Sequence, residues 1–177
     1  MRTTSDIIDG AVRARRALAT VTTQQKNEAL EAMTVSLLAA ESEILAANEQ
    51  DLAAARGTIG EVMLDRLALT APRIQQMGAG IRAVVALPDP VGRLLKETTR
   101  ADGLCIRRVS APMGVIAIIY ESSPNVTSDA AALALTAGSA AVLRCGKEAW
   151  RTSAAEMLRW VMATVSSQTR MAYRPAP

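Results

Sequence analysis

The stretch MGVIAIIYESSPNVTSDAAALALTAGSAAVLRCGK, residues 113–147, decides the fold. Val115, Ile116, Ile118, Ile119 and Tyr120 form a short apolar run rich in β-branched side chains. Ala140 to Leu143 form another, and such runs are the pattern of strands covered on both faces. Between them Pro124 suits a first helical turn, and Ala130, Ala131, Leu133, Ala134 and Leu135 supply a small apolar face for close packing. Gly138 then ends the helix. Strand, helix and strand in uninterrupted succession predict a βαβ unit with two parallel strands, so the chain is of the α/β class.

Ligands of parallel α/β sheets sit outside the carboxyl ends of the strands, here the loop from Tyr120 to Asn125 and the turn from Arg144 to Glu148. Arg144 closes its strand and Lys147 stands at a helix start, two cations beside unsatisfied backbone donors, which fits an anion such as a phosphate or a nucleotide. Spacing alone leaves the other reading open, that both are solvated charges on an exposed turn. The chain has two cysteines and no histidine. Cys145 lies between the two cations, which would favour a thiolate, but its base would have to be a carboxylate such as Glu121 or Glu148, so a small inert residue is the expectation. Cys105 alternates with Ile106 in a strand and reads as packing. The pair is not spaced for a metal, and no metal site is expected.

Upstream, residues 5 to about 87 read as helices. Ile8, Val12 and Leu18 share one face of the first, and Thr22 with Gln25 forms a capping box before Ala29, Leu30, Met33, Leu37 and Leu38. A third segment runs from Glu41 to near Gly57, a short one holds Met63, Leu64 and Leu67, and another starts at Thr70 with Pro72 in its first turn. Pro88 and Pro90 stop it. Residues 93–109 predict a hairpin turning at Asp102 and Gly103. Gly78, Gly80 and Ala83 match the dinucleotide fingerprint G-x-G-x-x-A, but the preceding Arg73 to Met77 have helical spacing rather than a strand's, so these glycines are expected inside a helix.

Half of the 177 residues are apolar, enough for a domain with a core, and 20 Lys+Arg against 17 Asp+Glu leave a net charge of +3, far from the footprint of a nucleic-acid binder. Arg13, Arg15 and Arg16 cluster on the polar side of a helix with no aromatic residue to stack on bases. No apolar run approaches a membrane span, and the first ten residues lack the order of a secretory signal, so the expected compartment is the cytoplasm.

The wording of IIYESSPNVTSDAAALALTAGSAAVLRCGKEA is similar throughout to the first βαβ unit of the γ-glutamyl phosphate reductases, also called glutamate-5-semialdehyde dehydrogenases, of the aldehyde dehydrogenase superfamily. The resemblance extends through EILAANEQDLAAAR, MLDRLALTAPRI, LPDPVGRLL and RRVSAPMGVIAIIYE, and downstream to RTSAAE. It departs at Ser122 and Ser123, where the family has Ala-Arg, and at Cys145, where it has glycine. The resemblance implies a helical amino-terminal segment, 1–92, packed on a cofactor domain; a hairpin, 93–109, acting as an oligomerisation arm; and a partial βαβα unit, 110–165, beginning an incomplete Rossmann-like sheet. Residues 166–177 form an irregular tail. It implies reduction of γ-glutamyl phosphate by NADPH in proline synthesis through a cysteine that lies in a later part of the family's chains, and a homo-oligomer.

On that basis Arg144, Lys147 and Glu148 are the cofactor-binding candidates and Glu121 and Asn125 the substrate-binding ones. Either Ser122 or Asn125 could donate to an oxyanion, or both could be ordinary turn and helix-start residues. The similarity fades after Ala155, and Trp150, Trp160 and Tyr173 crowd the carboxyl end, so the chain reads as the amino-terminal, truncated part of such an enzyme and is expected to be inactive alone. The alternative is a non-catalytic remnant that binds nucleotide or pairs with other subunits.

Overall fold

A threonine opens each of three helices and stops the chain's first turns from fraying. Thr3 caps α1 (Thr4–Leu18) and Thr22 caps α2 (Thr23–Ala39), each in a reciprocal box with Asp6 or Gln25, and Thr70 accepts from Arg73 N at the head of α5 (Ala71–Val85). Between them lie α3 (Glu41–Ala55) and the short α4 (Glu61–Leu67). This computed structural model describes residues 3–157. The hairpin follows as β1 (Leu94–Thr99) and β2 (Cys105–Val109), with Gly103 at φ +85° in its turn. The βαβ unit then comprises β3 (Val115–Ile119), α6 (Pro124–Thr136) and β4 (Ala140–Arg144). A 3-10 turn, Lys147–Ala149, leads into helical residues 150–157.

β3 and β4 pair in parallel in the register Val115 to Ala140 through Ile119 to Arg144, which places both carboxyl ends level. The crossover helix ends as its glycine predicts. Gly138 sits at φ +62°, its N–H donates to Leu135 O at 2.9 Å and Ser139 N–H donates to Ala134 O at 2.9 Å, so two carbonyls of the last turn find partners. The core lies where α2, α5 and α6 meet: Leu30, Met33, Leu37, Ile74 and Ile81 are fully buried, with Ala132 and Leu135 of α6 against them. Each such large side chain contributes about 1.5–3 kcal/mol by leaving water. Gly78 lies inside α5, where a Cβ would stand 3.2 Å from Leu38 Cδ2, so its role is to let α2 approach. The fingerprint glycines are therefore a helix-packing feature.

Some expected faces differ. Ile8 and Val12 are exposed, because Ala11 and Leu18, a seven-residue step apart, form the side of α1 that packs on β4 and β3. Leu133 points outward from α6 at 53% exposure. The two strands are half-buried rather than covered on both faces, with Ile119 77% exposed; an apolar run reads the same whether one or both faces are packed. Cys105 is exposed, like every other residue of β1 and β2, because no described element packs on the hairpin. Arg13, Arg15 and Arg16 are exposed as their spacing predicts. Trp160, Tyr173 and the tail 166–177 lie outside the described residues.

Candidate functional site

Because β3 and β4 end level, the segments that leave them run side by side. Tyr120 N–H donates to the Arg144 carbonyl at 3.0 Å and Gly146 N–H to the Glu121 carbonyl at 3.5 Å. Gly146 sets this approach: a Cβ on it would stand 3.5 Å from the Glu121 carbonyl carbon and 2.8 Å from Glu148 Oε2. Arg144 is exposed at the end of β4, and Glu121, which meets Gly146 across the junction, is exposed too. Lys147 extends into solvent, its Nζ 4.0 Å from Glu148 Oε1, while Glu148 is largely covered. Arg144, Lys147, Glu148 and Glu121 thus gather at one end of the parallel pair. Ser122 and Asn125 do not share an environment: Ser122 is 2% exposed, whereas Asn125 stands open in the first turn of α6.

The turn after β4 is held from behind by two residues of α3. Asp51, 1% exposed, accepts from Thr152 N and Thr152 Oγ1, both at 2.8 Å, and from Arg151 Nη1 at 3.2 Å. Its carboxylate caps the first turn of the helix that follows Lys147–Ala149, supplying acceptor and charge where the backbone donors are free. Asn48, equally buried, donates to Leu67 O at 2.8 Å and Thr152 Oγ1 at 3.2 Å and accepts from Leu69 N at 2.8 Å. One amide therefore ties three segments together. Sequence reading assigned neither residue a role, although a signal was present: Ile44, Asn48, Asp51 and Ala55 follow the 4-3-4 spacing of a buried helical stripe.

A second polar group lies beneath the loop after β3. Tyr120 Oη is 2.6 Å from Thr127 Oγ1, which is 3.2 Å from Ser153 Oγ. Burial pushes the Tyr120 phenol up to about 12, outweighing its hydrogen bond with Thr127. Burial likewise raises the Cys145 thiol; its hydrogen bond with Ser153 opposes the rise, and the nearby Asp51 and Glu156 add to it. The expected cationic flanks do not govern this cysteine, because Arg144 and Lys147 point to solvent while its buried side faces carboxyls and packs with Ala55, Leu67 and Ala149. Glu156 is fully buried, neither carboxyl oxygen has a hydrogen-bond partner among the described residues, and burial, then the charge of Asp129, raises its pKa well above the ordinary value.

Asn125 and Ser123 open onto a groove of about 510 Å³ between α4, α5 and the start of α6. That volume is in the range of small-molecule sites. Arg66, Gln76, Gly80 and Asp129 border it as well. A shallower depression on the outer face of α2, lined by Thr23, Gln24, Asn27, Glu28 and Glu31, lacks any cation and is remote from the strand ends. Among the described residues no group of histidine, cysteine or carboxylate side chains could hold a metal ion. No described helix is long and apolar enough to cross a membrane.

Two curated relatives bear on this geometry. A γ-glutamyl phosphate reductase of Streptococcus suis is 51% identical over 155 residues, covering 88% of this chain and 38% of that protein. One of Streptococcus pneumoniae is 55% identical over 139 residues, covering 78% and 33%. The chain belongs to the γ-glutamyl phosphate reductase family. It spans 33–38% of the length of these relatives. The fold agrees. The crystal structure of the reductase from Thermotoga maritima superposes with a TM-score of 0.89 at 36% identity, over 92% of this chain and 40% of that one. The reductase from Saccharomyces cerevisiae also gives 0.89, at 30% identity, over 97% and 44%. An acetylating aldehyde dehydrogenase from Geobacillus thermoglucosidasius, 12% identical with a TM-score of 0.66 over 93% and 34%, shares the fold. No protein-family model matches the chain.

Proposed function

We propose that this chain carries the nucleotide-binding end and part of the substrate surface of an NADPH-dependent reductase that converts γ-glutamyl phosphate to glutamate 5-semialdehyde and phosphate, in the cytoplasm, for proline synthesis. The observation that carries the proposal is the level ending of β3 and β4, in a chain of this family, with Arg144, Lys147 and Glu148 at the strand ends. These residues fit a dinucleotide. Two exposed cations attract its phosphates, and the Glu148 carboxylate can accept from a ribose hydroxyl. The nicotinamide nucleotide supplies a hydride when bound.

The chain's own residues bind and orient. Asp51 and Asn48 hold the Lys147 turn, Arg144 and Lys147 favour the additional phosphate of NADP over NAD, and Asn125 is available to donate to the carbonyl undergoing reduction. Ser122 has the weaker claim on that role because it is buried. Cys145 is a poor nucleophile in these surroundings, and with no histidine to serve as its base the 177 residues alone are expected to bind without turnover. The hairpin is proposed as a subunit-pairing surface in a homo-oligomer, since Leu94, Leu95, Ile106 and Val109 are each more than half exposed on it.

Fluorescence titration of the chain with NADPH and NADH at low salt tests the nucleotide assignment. NADPH should bind more tightly, with a preference that fades as salt rises and disappears in Arg144→Gln or Lys147→Gln. Equal affinity for the two nucleotides removes the role of the cations, and failure to bind either sinks the nucleotide reading.

A further inference from the structure

Three hydroxyls and a thiol run in a row beneath the two strand ends. Tyr120 follows β3, Thr127 closes the first turn of α6, Ser153 belongs to the helix after β4, and Cys145 stands in the turn between Arg144 and Gly146. Tyr120 Oη is 2.6 Å from Thr127 Oγ1, Thr127 Oγ1 is 3.2 Å from Ser153 Oγ, and Ser153 is hydrogen-bonded to the Cys145 thiol. Thr127 is fully buried and Ser153 is 5% exposed, so these hydroxyls depend on one another for partners. Packing alone does not call for them. Valine has the shape of threonine and phenylalanine that of tyrosine, and replacing both members of a buried pair by apolar groups of like shape is nearly neutral for stability.

What the hydroxyls add is direction and a set distance between elements that the backbone joins weakly. Gly146 N–H reaches Glu121 O only at 3.5 Å, and Ser123, at the N-cap of α6, makes no side-chain bond to the first turn. With that cap unused, the path of 121–123 and the direction of Asn125 are set from beneath, by Tyr120 at one end of the loop and Thr127 at the other. The second bond of Thr127, to Ser153, ties the same turn of α6 to the helix that continues from Arg144 and Lys147. We propose that Thr127 is a positioning residue of the reductase site: it fixes the 121–125 loop against the 144–148 turn, so that a nucleotide seated on the turn orients the loop, Asn125 included. The assignment rests on the nucleotide reading above and deepens it, because it makes a buried hydroxyl, which touches neither cofactor nor substrate, the link between their surfaces.

The test follows the amide signals of the full chain, isotope-labelled, as NADPH is added. In the parent, the amides of 145–149 and those of Asn125 and Val126 should shift together. Thr127→Val should keep the NADPH affinity within about twofold and preserve the shifts at 145–149. The shifts at Asn125 and Val126 should fall by about threefold or more, and Thr127→Ser, which retains the Oγ, should restore them. Tyr120→Phe breaks the row from its half-buried end and should uncouple Asn125 in the same way. Without nucleotide, Thr127→Val should speed hydrogen exchange at the bonded amides of Tyr120, Val126 and Gly146 about tenfold and leave those of Leu30, Leu37 and Ile81 unchanged. Undiminished shifts at Asn125 and Val126 in Thr127→Val and Tyr120→Phe, or no rescue by Thr127→Ser, would overturn the proposal. An equal rise in exchange at the core amides would make Thr127 a packing residue and overturn it too. A parent chain that binds no NADPH removes the nucleotide reading and this inference together, whereas binding that both variants leave fully coupled removes this inference alone.

Discussion

Replacing Asp51 by alanine removes the buried carboxylate that joins α3 to the helix after β4. Two bonds of 2.8 Å to Thr152 are lost inside the protein, and Thr152 N–H is left in a buried place without an acceptor. Hydrogen bonds to a charged group contribute about 1.5–3 kcal/mol each, and losing an N-cap costs about 0.5–2 kcal/mol. The Arg151 contact adds little, because that guanidinium is half exposed and its pairing is screened by water. These contributions overlap, so the expected loss is about 3–4 kcal/mol, a large share of the roughly 5–15 kcal/mol that holds a domain together. Asp51→Asn, which keeps one acceptor oxygen, should lose about half as much. Urea unfolding measures both, with the midpoint falling by about 1–2 M at an unchanged slope. The Asp51→Ala, Thr152→Val double-mutant cycle should show coupling above about 1 kcal/mol. A loss below about 1 kcal/mol, or additive single changes, would refute the view that this carboxylate anchors the turn after β4.

Three further expectations concern stability. The Asp89 carboxylate, raised by burial but lowered more by hydrogen bonds from Lys26, Val91 and Thr23, sits below its ordinary 3.8, so its contribution is full above that value and is lost as pH falls through the lowered one. Asp89→Asn should therefore be less stable than the parent at neutral pH and match it in strong acid; a deficit that persists in acid would contradict this. Glu156 behaves oppositely, because a raised carboxyl keeps its proton in the folded state and stability declines as pH rises above the unfolded value of about 4.3. Glu156→Gln should gain on the parent by about 1.4 kcal/mol per pH unit over that range, and a pH-independent difference would show that the carboxyl ionises freely. Gly138→Ala should cost at least about 1–2 kcal/mol in thermal unfolding, since a side chain at φ +62° is strained and its Cβ would stand 3.2 Å from Pro112 Cγ; an unchanged melt would contradict it.

Much of the fold was legible because its punctuation is local. Thr22 with Gln25, Thr70 with Pro72, Pro124 and Gly138 each act within one helical turn, and each is found at the helix boundary its chemistry implies. Burial was less legible where it depends on what lies across a face. The same apolar letters leave Ile119 exposed and Val115 packed on the core, and Cys105 lies open on a hairpin that no described element covers. In the candidate site, the positions of the two loops follow from a parallel βαβ unit alone, so Glu121, Arg144 and Lys147 could be placed at the strand ends without coordinates. Asn48 and Asp51 could not. Their polar side chains on a helix suggest a wet face until the buried stripe from Ile44 to Ala55 is noticed, and their partners lie up to 104 residues away.

The charges of the groove show the same limit more sharply. Arg66 ends one helix and Asp129 lies on another, and no local pattern joins them; the packing of α5 against α6 brings both to a single cleft, and the missing side chain of Gly80 keeps that cleft open. The β4 turn and the groove both border one short segment, 120–125, which meets the turn through Gly146 and the groove through Ser123 and Asn125. A reductase must bring a cofactor and a substrate to the same carbonyl while holding their remaining parts apart. In the proposed reading, a loop shared by two surfaces would serve that purpose. It also predicts that damage behind the β4 turn, as in Asp51→Ala, should weaken nucleotide binding before it alters the groove, whereas Arg66→Gln should leave nucleotide affinity unchanged.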